Sequence, residues 1–179
     1  MMSKSKMFIF TVLHIIAWII FVGLSIEAGG LIVNFFFSIF KPEMVSRLYQ
    51  KLDLSQMQDR STTAFYSMYS FMIMLAVLKA LLFYKLVELK WKLDLNNPFT
   101  TSVAKHITNL SYFTFAIGII GYMARQTADQ LMHRGYKVEV LHQFWPDSQA
   151  FILMAAVIYT IATIFSRGVE LQNENDLTV

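Results

Sequence analysis

The sequence contains no cysteine, which excludes disulfides and thiolate metal sites and leaves the redox compartment open. Charge is scarce as well. Asp, Glu, Lys and Arg make up 15% of the 179 residues, against about 25% in an average soluble domain. The net charge of +3 is small and spread out, so it gives no basis for direct nucleic-acid binding. Gly-rich phosphate loops, nucleophile elbows and His-Glu metalloprotease motifs are missing. No catalytic residue, metal site or cofactor is therefore expected, and the chain reads as non-enzymatic.

What the chain has instead is apolar length. Hydrophobic residues reach 56%, concentrated in runs at about 7–40, 65–89, 107–124 and 149–165. A membrane-spanning helix needs about 20 mostly apolar residues to cross about 30 Å of hydrocarbon. The expected fold is all-α: a polytopic membrane protein with four transmembrane helices in a bundle. It forms one domain over residues 1–179, with spans at about 7–36, 65–89, 105–128 and 148–166 and a polar tail at 168–179. The longer connections are too short to bury a core of their own. Lys4 and Lys6 ahead of Met7 imitate a signal peptide, but signal apolar regions run only about 7–15 residues. Apolarity here persists to Phe40, as in a retained first span.

The first run is too long for one straight crossing. As a helix it would extend about 50 Å, and Gly29-Gly30 is the expected break, because glycine is a poor helix former. Pro42 suits a helix's first turn. Met44, Val45, Leu48, Tyr49 and Leu52 follow at helical spacing, with Arg47 and Lys51 between them. That pattern predicts a short amphipathic helix at 42–53 lying on the membrane surface. Span two ends in Lys85, Lys90, Trp91 and Lys92, residues that anchor helices at the interface. The turn Asn96-Asn97-Pro98-Phe99-Thr100 comes next, with Thr100 or Thr101 as the cap of span three. That helix should continue to about Arg134 and stop at Gly135. Tyr136, Val138 and Val140 alternate with Lys137 and Glu139, a short strand pattern. Phe144-Trp145-Pro146 marks an aromatic interface, and Asp147 or Ser148 caps span four.

Four spans place both termini on one side. Lys4, Lys6, Lys85, Lys90, Lys92, Lys105 and Arg167 would share that side. Lys41, Arg47, Lys51, Arg60, Arg125, Arg134 and Lys137 would face the other. The counts are equal, so the positive-inside rule is nearly neutral. The lysine-dense 85–105 connection favours cytoplasmic termini.

Glu27 and Lys79 are the ionisable residues placed inside runs, where charge is costly and tends to face a partner or a cavity. Three readings stand: snorkelling to an interface, a structural Glu27–Lys79 pair, or a relay in a small transporter or channel. Small neighbours surround both, as where helices approach closely. Ser25…Gly29, Ala76…Ala80 and Thr114…Gly118 are small-residue steps suited to packing. His14 and His106 raise a haem-ligand reading, although satisfied or solvated histidines explain them more simply. His133 and His142 lie in no metal-binding spacing. Asn109-Leu110-Ser111 matches a glycosylation sequon but falls within a span.

The ending Glu170-Leu171-Gln172-Asn173-Glu174-Asn175-Asp176-Leu177-Thr178-Val179 is acidic and polar, with apolar anchors among the polar residues. Such a segment can order on a partner. This ending, with the Asn97-Pro98-Phe99-Thr100 turn and the four-span layout, resembles a bacterial membrane family catalogued as domain of unknown function 2975. Members are commonly encoded beside a small helix-turn-helix regulator of the Cro/C1 type. The resemblance implies a protein of the bacterial inner membrane that docks or sequesters that regulator on the 85–105 connection and the 168–179 tail. Besides the regulator and the lipid bilayer, a second copy of the chain is a candidate partner.

Overall fold

The computed structural model describes residues 4–40, 53–93, 98–145 and 147–176. The expected surface helix at 42–53, all but its last residue, lies outside them, as do Asn97 and Leu177. Helix α1 covers Lys4–Phe40, α2 Ser55–Arg60, α3 Thr62–Lys92, α4 Thr101–His133 and α5 Ser148–Asp176, with a 3-10 helix at Glu139–Phe144 before α5. The four long helices are each long and apolar enough to cross a membrane. The chain is an all-α membrane protein.

The boundaries follow from local chemistry. Ser61 Oγ accepts from Ala64 N–H, and Thr100 Oγ1 accepts from Val103 N–H. Asp147 Oδ1 accepts from the N–H groups of Gln149 and Ala150. Each pairs donors that a helix start leaves open. At the end of α4, Tyr136 N–H reaches Leu131 O and Gly135 N–H reaches Met132 O. This is a Schellman closure, and Gly135 takes the left-handed φ of 80° that it requires. Before α2, the hydroxyl and then the backbone N–H of Ser55 hold the Asp53 carboxyl below the usual carboxylate range.

Pairs across the helices fix their arrangement. On α1 and α3, Trp18 meets Trp91, Phe21 meets Tyr84, and Phe35 meets Tyr66 and Tyr69. Rising numbers on one helix meet falling numbers on the other, so the two are antiparallel. His106 on Lys85 with Arg60 on Arg134 and Gly135 gives the same result for α3–α4, and Tyr112 opposite Tyr159 with Gly118 against Ile152 gives it for α4–α5. Helix α1 packs on α3, α3 on α4 and α4 on α5. The helices thus stand in a row, with α1 and α5 at its ends. Phe65, Met68, Tyr69, Met72 and Leu75 of α3 carry much of the core. Burying such side chains contributes about 1.5–3 kcal/mol each where they leave water; within a bilayer, close packing takes over that role.

Two expectations are corrected. Helix α1 runs unbroken through Gly29-Gly30. Leaving the helical ladder there would strand backbone groups where lipid offers no hydrogen bonds, and Asn34 Nδ2 adds a bond to Gly30 O. The strand pattern at 136–140 gives way to the 3-10 helix. Val138, Leu141 and Phe144 are buried at a spacing of three, the period of that helix, and no strand exists among the described residues to pair with. The polar tail continues α5 as helix through Gly168 to Asp176.

Candidate functional site

Lys79 sits near the middle of α3, half-buried. Its Nζ donates to the carbonyl oxygen of Phe144, 3.3 Å away. Side chains on a helix lean toward its N-terminus, which aims Lys79 away from the Lys85–Lys92 end and toward the α4–α5 connection. That connection folds into the protein: Val138, Leu141, Phe144 and Trp145 are all buried. The carbonyl that ends the 3-10 helix has no partner further along it and needs a donor, and Lys79 supplies it. Glu27 of α1 faces Lys79 closely enough to act on it electrostatically. The ion pairs among the described residues do not include this couple. The Glu27–Lys79 pair expected from the sequence thus becomes a three-part arrangement in which Phe144 O is the direct partner. Snorkelling toward Lys85 does not occur, because the ammonium points the other way.

The histidines are both engaged. His14 Nε2 accepts from Trp18 Nε1 at 3.2 Å, on an aromatic cluster with Trp91. His106 is 3% exposed, and its Nε2 lies 2.7 Å from Lys85 O. A carbonyl only accepts, so that nitrogen carries the proton. The ring nitrogens a haem iron would take are therefore committed to other helical groups. No group of three or more His, Asp or Glu suited to a metal occurs among the described residues, His133 and His142 included.

His106 also lies 3.9 Å from Glu88 Oε2, and Glu88 binds Lys85 at 2.7 Å and Lys92 at 2.6 Å. Sequence reasoning missed Glu88, whose signal is the i,i+3 spacing from Lys85 and the i,i+4 spacing to Lys92. The node pairs two of the lysines at the terminus-bearing end with one carboxylate and joins α3 to α4.

At the far end Arg60 performs a comparable task. Its guanidinium donates to Gly135 O at 2.9 Å and Arg134 O at 2.8 Å, and lies 4.4 Å over the Tyr136 ring. A cation on the last carbonyls of α4 complements the negative end of the helix dipole.

The turn and the tail come together. Phe99 stacks on Phe165 at 5.3 Å, and a methyl group at Gly168 would run into the Phe99 ring. Glycine at 168 is thus a close-approach site for the Pro98-Phe99 turn. Beyond it, Glu170 is paired with Arg167 at 2.6 Å, while Leu171 is 61% exposed. Gln172, Glu174 and Asn175 follow on the same continuous helix, and Asp176 ends it. Two of the three small-residue steps divide. Gly118 lies against the Ile152 backbone at the α4–α5 crossing, whereas a methyl at Gly29 would meet open space.

Compared with known proteins, residues 47–179 match the family described as "Protein of unknown function (DUF2975)". The match begins after α1, the edge helix, rather than covering all four spans. No curated protein and no solved structure matches the chain.

Proposed function

The chain belongs to the DUF2975 family, and from that membership and the geometry of its tail we propose a non-enzymatic regulatory membrane protein. Its cytoplasmic face docks a helix-turn-helix transcription regulator. The observation that carries this reading is the unbroken course of α5 past Gly168 to Asp176. The segment is a preformed helix braced by Phe99, with Leu171 outward. A preordered helix spares a partner much of the entropy of ordering a loose tail. Leu171 supplies an apolar anchor, and Glu174 and Asp176 bring negative charge toward a basic DNA-binding protein. The transporter reading is weaker. Lys79 is committed to Phe144 O.

The test is co-purification of the detergent-solubilised protein with a helix-turn-helix regulator of the Cro/C1 type. Full-length protein should retain the regulator, and both truncation at 167 and Leu171→Asp should release it. Retention by both variants would refute the docking surface.

A further inference from the structure

A cavity of about 590 Å³ opens between the last turns of α4 and the start of α5, at the end of the row away from the tail. It is lined by Tyr122, Arg125, Gln126, Trp145, Asp147 and Gln149. Grooves elsewhere on the helix row, such as that beside Tyr112 and Tyr159, are smaller and almost wholly apolar. This one is polar, and part of its polarity has no use within the described chain.

Trp145 is 8% exposed, and its Nε1 is the buried side-chain nitrogen or oxygen that lacks a hydrogen-bond partner among the described residues. That nitrogen is sealed behind the cavity wall, so the indole shapes the cavity without offering its N–H to the interior. Arg125 makes no ion pair with any described residue. Asp147 commits Oδ1 to the first N–H groups of α5, and its carboxylate makes no ion pair with a described residue. Gln126, in contrast, is already bonded to the Tyr122 hydroxyl. Arg125 and Asp147 line the same cavity but do not come within 4.0 Å of each other.

The signs decide what fits. A simple anion would gain Arg125 but meet the Asp147 carboxylate, and a simple cation would meet the reverse. A molecule carrying both charges satisfies both walls. We infer that this cavity binds a small zwitterion, with an acidic oxyanion and an ammonium group a few bonds apart. Arg125 holds the oxyanion through its planar fork, the Asp147 carboxylate takes the ammonium, and the Trp145 indole forms part of the wall. The cavity lies at the membrane boundary where α5 begins. A phosphoethanolamine lipid headgroup and a free amino acid share this chemistry and both could reach it. The site does not depend on the tail docking a regulator.

The experiment uses full-length protein in phosphatidylglycerol nanodiscs. With Trp18→Phe and Trp91→Phe, Trp145 remains as the sole tryptophan, and its fluorescence reports on the cavity. Glycerophosphoethanolamine and alanine are titrated separately, with glycerol 3-phosphate as the anion lacking an ammonium. A saturable change with the first identifies a lipid headgroup, and with the second a free amino acid. Either response should weaken at least tenfold in Arg125→Gln and in Asp147→Asn. Asparagine caps helices as well as aspartate does, so Asp147→Asn keeps the start of α5. No saturable change with either zwitterion would overturn the proposal. So would an equal response to glycerol 3-phosphate, or zwitterion binding that both variants leave intact.

Discussion

Lys79 and Phe144 are joined by a hydrogen bond from ammonium to main-chain carbonyl, 3.3 Å long, across 65 positions of sequence. The bond ties the middle of α3 to the connection between α4 and α5, and it explains how that connection lies buried. Lys79→Met should therefore leave the carbonyl unpaired and lower stability by about 1–3 kcal/mol. Glu27→Gln should cost less, since Glu27 acts on Lys79 without direct contact. Thermal unfolding in detergent measures both. Equal losses would mean that the Glu27–Lys79 couple is the principal interaction.

Two glycines should respond in opposite directions. Gly118 lies at the α4–α5 crossing, where a Cβ would come 3.2 Å from backbone atoms of Ile152 and Ser148. Gly118→Leu should destabilise by about 1–3 kcal/mol or more through overpacking. Gly29 faces open space, so Gly29→Ala should stabilise α1 by about 1 kcal/mol through helix propensity. Melting temperatures of the two variants give the signs.

The turn and tail offer a cleaner sign test. Gly168→Ala would raise helix propensity by about 1 kcal/mol if nothing stood in the way. Because Phe99 stands there, the substitution should lower the melting temperature in the native background. In Phe99→Ala protein the same substitution should raise it. A stabilising effect in both backgrounds would show that Phe99 does not brace α5.

How much of this could be read from the chain differs by kind of feature. The four spans, the Thr100 and Asp147 caps and the Gly135 stop depend on neighbours within a few residues, and composition and local chemistry reveal them. The course of α1 through Gly29-Gly30 was not legible, because the penalty of glycine is local whereas the need to keep the ladder closed comes from the surrounding lipid. The partner of Lys79 was hidden for another reason. A main-chain carbonyl carries no residue identity, so nothing at Phe144 announces an acceptor. Phe99 and Gly168 were each visible, but only folding shows that one is small to admit the other. Trp145 read as an interfacial aromatic, and its unpartnered N–H emerges only with its burial.

Arg60 contacts two carbonyls with one planar group. Lysine keeps the charge but cannot span both acceptors. Arg60→Lys should therefore destabilise the end of α4 by about 1 kcal/mol. Hydrogen exchange at Gly135 and Tyr136 should quicken in that variant, while exchange near Gly118 stays unchanged. Uniform acceleration across α4 would argue for global destabilisation instead.

The polar cavity at the start of α5 and the proposed docking tail at its end must face opposite sides of the membrane. The absence of native cysteine makes this directly measurable. Gln149→Cys and Leu171→Cys, made singly, are exposed to a membrane-impermeant maleimide in intact bacterial spheroplasts. Cysteine at 149 should react at once, and cysteine at 171 only after the membrane is permeabilised. Labelling of position 171 in intact spheroplasts, or of both positions from one side, would contradict the arrangement.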